Sequence, residues 1–189
     1  MAVKDVKFPP FSCLTCLTFR VNVRHMGPYS PFTVSRFFIE RASQNPAGLS
    51  PMKLIKLVYI SHGWNLAFYD EGLIYEPVQA WQYGPVIESL YHAFKQYGNA
   101  SISADEVRSI EALPTDPADN GAGLLEKVWQ KYSGLSAVHL SALTHQPGTP
   151  WYTVWNEKGG KDIKRAIIPN DLIKDFYKRK LQKEPGSGH

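Results

Sequence analysis

The chain has little cysteine, little net charge outside one end, and no long apolar run. Its only two cysteines fall in Cys13-Leu-Thr-Cys16, and every later residue is cysteine-free. Disulfides therefore cannot hold the fold together, which suits a reducing cytoplasm. A Cys-x-x-Cys can be a redox pair or half of a zinc site. No second pair, nearby histidine or βαβ pattern accompanies this one, so it reads as incidental. The formal charge of +4 is concentrated at the start: four of the 21 basic residues and one of the 17 acidic residues lie in residues 1–25. The remaining 17 basic and 16 acidic residues leave the body close to neutral. Such a body exerts little long-range pull on a polyanion, which argues against nucleic acid as a partner.

The stretch Phe11–Phe19 is interrupted by Ser12, Thr15 and Thr18 and is followed by no small-residue cleavage site, which argues against a secretory signal. No segment approaches the ~20 apolar residues of a membrane helix. The expected organisation is an extension over residues 1–25 outside the fold, a domain over 26–183 with Met26 as the natural start, and a flexible tail over 184–189. The expected location is the cytoplasm.

Reactive constellations are missing as well. There is no nucleophile elbow, phosphate-cradling loop or dinucleotide fingerprint. His62, His92, His139 and His145 form no ligand pair of the His-Glu-x-x-His kind. The carboxylate pairs Asp70-Glu71 and Asp105-Glu106 fall in turn or linker sequence, where acid–base chemistry has no pocket to work in. These features point away from an enzyme and call for no cofactor or metal. A metal-dependent enzyme using His62 and His145, brought together by the fold, is the remaining catalytic alternative.

What is present is a core and an unusual set of aromatic, glycine and proline positions. With 43% hydrophobic and 13% aromatic residues, 189 residues suffice for one well-packed domain. The pattern predicts a mainly α fold of about six helices with a small β-hairpin or edge strand. A first helix begins at Pro31-Phe32-Thr33 with Thr33 as its cap and stops at Asn45-Pro46. Ser50-Pro51 opens a second, whose apolar face carries Leu54, Leu57, Val58, Trp64 and Leu66, with Lys53 and Lys56 outside. Gly63 interrupts that helix, which suggests close approach by another group.

Residues 73–82 read as extended, because Tyr75, Val78 and Trp81 favour strand and Pro77 forbids helix interior. Gly84-Pro85 then starts a third helix ending at Gly98. A linker with one short element spans 101–120. Helices follow from about Gly121 to Tyr132 and from Ser136 to Leu143, the latter with Val138, Leu140 and Leu143 on its apolar face. Pro147-Gly-Thr-Pro150 stops that helix, and a last one with a basic outer face begins after Pro169.

The most specific segment is Glu76-Pro-Val-Gln-Ala-Trp81-Gln-Tyr83-Gly84-Pro85-Val86, flanked by Tyr59-Ile-Ser-His62-Gly63-Trp64 before it and Tyr97-Gly98 after it. Leu140-Ser141, Thr144-His145 and Pro150-Trp151 follow later. Together these resemble the Panacea domain family, which includes SocA-like and phage-associated proteins. The likeness spans about residues 33–180. It implies a bacterial or prophage antitoxin that binds and neutralises a cognate toxin encoded by a neighbouring gene. A second role it implies is that of a proteolytic adaptor delivering the toxin to a Clp protease. Under either role His62, Trp64, Trp81, Tyr83, Gly84, Pro85, His145 and Trp151 become motif or partner-binding positions. In that picture they fix a helical frame whose exposed positions select the partner.

Overall fold

A computed structural model describes residues 28–44, 48–114 and 121–183. The expected extension over 1–25, its cysteines, the Met26 start, Asn45-Pro46 and the tail over 184–189 lie outside the described residues. Among the described residues the chain is mainly α-helical, with seven helices and one two-stranded antiparallel sheet.

Helix α1 covers Pro31–Ala42, and its cap is Ser30, whose Oγ accepts from the Phe32 N–H at 3.2 Å. The cap expected at Thr33 is one turn too late: with Pro31 at the first helical position, Thr33 is already inside the helix and buried. Helix α2 covers Pro51–Tyr69 and is the axle of the molecule, touching α1 and most of the later helices. Fifteen of its residues are buried, from Pro51 to Ala67 and on every side. A helix that is apolar all round belongs inside a protein. The expectation that Lys53 and Lys56 point outward therefore fails. Lys53 is half-buried and its Nζ donates to the Ser133 carbonyl at 2.6 Å, and Lys56 is only 2% exposed. The helix stops at Asp70, which takes a left-handed conformation at φ 59°.

The extended segment narrows to a hairpin. Strand β1, Gln79–Trp81, pairs antiparallel with β2, Gly84–Val86, in the register Gln79 to Val86 and Trp81 to Gly84. On its other side β1 is covered by residues 166–168, through Ala80 N–H to the Ala166 carbonyl at 2.7 Å and Ile168 N–H to the Val78 carbonyl at 2.8 Å. Gly84-Pro85 thus belongs to a strand and does not start a helix. Gly84 has φ +103°, outside helical space, and a proline is tolerated on an edge strand because no neighbour needs its N–H. Helix α3 begins later and covers Glu88–Phe94, continued by a tight turn over Lys95–Tyr97.

Among the described residues the linker after Gly98 holds one short turn, Ala104–Val107, and docks through Ile102 and Val107, both buried. Helix α4, Gly121–Tyr132, and helix α5, Ala137–His145, lie close to the expected bounds. Val138 is the exception on α5: it is 74% exposed and takes no part in the core. Helix α5 stops before Pro147-Gly-Thr-Pro150 as expected, and from Pro150 the chain makes one further helical turn, α6, Pro150–Tyr152, which widens into a π-turn over Thr153–Glu157. Helix α7, Asn170–Lys183, closes the bundle against α2. Among the described residues no helix is long and apolar enough to cross a membrane.

Gly63 faces α7. A Cβ there would sit on the edge of the Tyr177 ring, which itself packs edge-on against Trp64 at 4.9 Å between centroids. Gly63→Ala is expected to lower unfolding free energy by about 1–3 kcal/mol despite alanine's better helix propensity, because the overpacking outweighs the propensity gain. Denaturant titration of the two proteins measures it.

Candidate functional site

The eight motif residues divide into two groups. His62 and Trp64 belong to the contact between α2 and α7. The His62 ring is 1% exposed; its Nε2 donates to Asn170 Oδ1 at 3.0 Å and its Nδ1 accepts from the Ile74 N–H at 3.4 Å. Both nitrogens are occupied by neutral partners, and this arrangement suits the uncharged imidazole. Burial lowers its pKa, opposed in part by the Asn170 hydrogen bond. Trp64, also 1% exposed, stacks on Phe68 and meets Tyr177. This pair is structural packing.

The second group is the hairpin and what lies beneath it. The turn Gln82-Tyr83 joins β1 to β2, and side chains from three helices take the carbonyl oxygens around it. Trp151 Nε1 on α6 donates to the Trp81 carbonyl at 2.8 Å. His145 Nε2 on α5 faces the Gln82 carbonyl at 3.4 Å, while its Nδ1 donates to the Ser141 carbonyl at 2.6 Å. Lys56 Nζ on α2 donates to the Tyr83 carbonyl at 2.8 Å and the Pro85 carbonyl at 2.9 Å. Ser141 Oγ adds a second donor to Tyr83 at 3.3 Å. The edge of β2 is therefore covered by a lysine where another strand would otherwise be needed, so its acceptors are not left orphaned.

Gly84 is required here on two counts. Its φ of +103° disfavours any side chain, and a Cβ would lie 2.7 Å from Lys56 Nζ and 2.9 Å from His145 Cε1. Pro85 is buried beside it. Under the hairpin the His145 and Trp151 rings are 4.0 Å apart, and Trp151 stacks on Trp155 at 5.8 Å. Above it Trp81 meets Tyr91 edge-on at 4.9 Å. Tyr83 alone is thrown outward, 68% exposed. The frame is stiff and its tip is aromatic.

His62 and His145 have separate sets of neighbours, and among the described residues no three His, Cys, Asp or Glu side chains are grouped to hold a metal.

Sequence reasoning overlooked Lys56, Ser141 and Asn170. The signal for Lys56 was available: it sits among Leu54, Ile55, Leu57 and Val58, in a helix with no polar face to receive it.

A family model described as "Antitoxin SocA-like, Panacea domain" matches residues 54–152. The chain belongs to the Panacea domain family. It is also 27% identical over 164 residues to Antitoxin SocA of Caulobacter vibrioides, a match covering 82% of this chain and 87% of that protein. No solved structure matches. The Panacea match begins two residues before Lys56 and ends one residue after Trp151, so it contains the hairpin and every side chain that clamps it. Asn170 and Tyr177, which lock His62 and Gly63, fall beyond it.

The clamp has a pH signature. Desolvation lowers the Lys56 amine from 10.5 to about 7. The neutral amine keeps two N–H groups, enough to serve both carbonyls. Between the folded and unfolded values the unfolded chain binds more protons, so stability rises with pH across that window. Tyr59 and Tyr177, whose hydroxyls burial pushes upward, act in the opposite sense above pH 10.0. His62 acts at lower pH: unfolding lets it take a proton that burial resists, so stability falls as pH drops below 6.5. Lys56→Met is expected to flatten the rise between about pH 7 and pH 10 while leaving the acid limb in place, as read from denaturant midpoints across that range.

Proposed function

We propose that this protein is an antitoxin that neutralises a cognate toxin, encoded by a neighbouring gene, by direct protein–protein binding. The observation that carries the reading is the likeness to Antitoxin SocA over 87% of that protein's length, together with the Panacea match. In this reading the protein acts in the bacterial cytoplasm, without cofactor and without catalysis. His62, Trp64, Gly84, Pro85, His145 and Trp151 hold the frame. Tyr83, with Trp81 beside it, meets the partner. Aromatic side chains held by a rigid backbone contribute large contact area with little entropy to lose, which makes them effective anchors. The adaptor role is the second mode, in which the bound toxin is passed to a Clp protease.

Co-expression in bacteria with the neighbouring gene tests the proposal. Cells making the neighbour alone are expected to stop growing, and cells making both are expected to grow. A harmless neighbour, or one that stays toxic beside this chain, refutes it. Repeating the rescue in cells without the protease separates the modes, since simple sequestration persists there.

Tyr83→Ala is expected to weaken rescue and toxin binding while leaving the thermal midpoint unchanged, because the ring is largely in solvent. Trp151→Ala, in contrast, is expected to cost about 3–5 kcal/mol of stability through the emptied core and the lost bond to Trp81. Calorimetry and binding titration of both variants measure these effects.

A further inference from the structure

Next to the hairpin lies an open groove of about 550 Å³, walled by Trp81 and Trp155 and rimmed by the loop over residues 161–165. Its floor is braced by a relay of polar groups. Trp81 Nε1 donates to Gln79 Oε1 at 2.9 Å, Gln79 Nε2 donates to Glu88 Oε2 at 2.9 Å, and Arg165 closes on Glu88 Oε1 at 2.7 Å. His92 Nε2 stands 3.6 Å from the same Glu88 oxygen. Gln79 at the middle of the relay is buried, and Arg165 closes its far end from the exposed rim. Arg165 reaches Glu88 from a left-handed backbone at φ 60°, which residues other than glycine rarely adopt. The one carboxylate deep in the groove is thereby answered.

The rim is not. Lys161 and Lys164 are exposed, and among the described residues neither has a carboxylate within ion-pairing distance. Between them Ile163 is 57% exposed. The wall residue Trp155 is only half-buried, and its indole N–H has no acceptor among the described residues. With the exposed Asp162 between them, the two lysines leave the rim one positive charge in excess, and together with the Trp155 donor and an aromatic slot of this volume they form a complementary set. They match a chain segment that presents apolar side chains to the indoles and carboxylates to the lysines.

We infer that this groove is the docking site for an acidic, apolar-containing segment of the toxin, with Lys161 and Lys164 as its charge readers and Trp81 and Trp155 as its apolar walls. This rests on the antitoxin reading and deepens it. The groove is continuous with the hairpin tip, since Trp81 and Gln82 line it. A polypeptide fits better than nucleic acid because the cationic patch is small and the body near neutral, with Asp162 and Glu88 in the same groove.

The experiment titrates the purified full chain with the protein encoded by its neighbouring gene, at low and moderate salt. The double variant Lys161→Glu/Lys164→Glu changes two exposed side chains and is expected to keep its thermal midpoint. It is expected to weaken binding about tenfold or more, and to lessen the salt dependence of what remains. Arg179→Glu/Gln182→Glu, on the exposed side of α7, is expected to bind like wild type. Trp155→Phe is expected to weaken binding while keeping the stack on Trp151.

If wild type binds and the Lys161/Lys164 variant binds equally well, the inference is overturned and the antitoxin reading stands. The same holds if only the α7 variant loses affinity, or if a short DNA duplex displaces the toxin from wild type and not from the Lys161/Lys164 variant. If wild type does not bind the neighbour's product at all, both fall together.

Discussion

A single amine sealed beneath the Gln79–Val86 hairpin organises the surface of this molecule. The hairpin has only two strands and one free edge, an arrangement that is marginal in water by itself. Lys56 supplies donors to two carbonyls on that edge from below, Trp151 and Ser141 supply two more, and the His145 ring packs against the Gln82 carbonyl. Each donor comes from a different turn of the helical body, so the hairpin is tied to α2, α5 and α6 at once. The burial that makes the amine's charge unfavourable also makes its hydrogen bonds strong. Removing it would leave acceptors stranded in a dry site, which is the more serious defect.

The motif acquires a physical meaning from this clamp. Gly84 is glycine because the backbone turns through positive φ at a point where lysine and histidine press against it. Pro85 follows because β2 is an edge strand. Trp151 serves both as core and as donor to Trp81, and the proline-bounded turn of α6 aims it. None of these residues has to touch a partner to be needed. They set the angle at which Tyr83 and the neighbouring groove meet the solvent. A rigid frame with an exposed aromatic tip is what a binding protein needs if its contact surface is to be ordered before the partner arrives.

Most helix starts were legible. Ser50-Pro51 and Ser136 carry local chemistry that marks a cap wherever it occurs, whereas Thr149-Pro150, read only as the end of α5, caps the short turn α6. The first cap was misplaced because Ser30 and Thr33 flank the same proline, and only the position of the chain relative to Leu73 and Ile74 decides between them. The hairpin was half legible. Its turn residues, Gln82-Tyr83, lack the glycine or asparagine that marks most two-residue turns, and the positive φ falls on Gly84, one residue later. Gly84-Pro85 therefore read as the start of α3. Of the site, the aromatic, histidine and glycine positions stood out, whereas Lys56 and Ser141, which help to hold them, did not, since a lysine six residues after a helix cap normally faces water.

The amino-acid order by itself determined the helical class, the starts at Ser50-Pro51 and Ser136, and the family, because these depend on residues near one another or on a pattern of types at set offsets. Which lysine is buried, which carbonyls it serves, and which of the motif's rings reaches solvent were decided only by tertiary structure. Those outcomes depend on groups that are 27, 63 and 70 residues apart meeting at one place. No local preference encodes such a meeting; the packing of α2, α5 and α6 around the hairpin creates it.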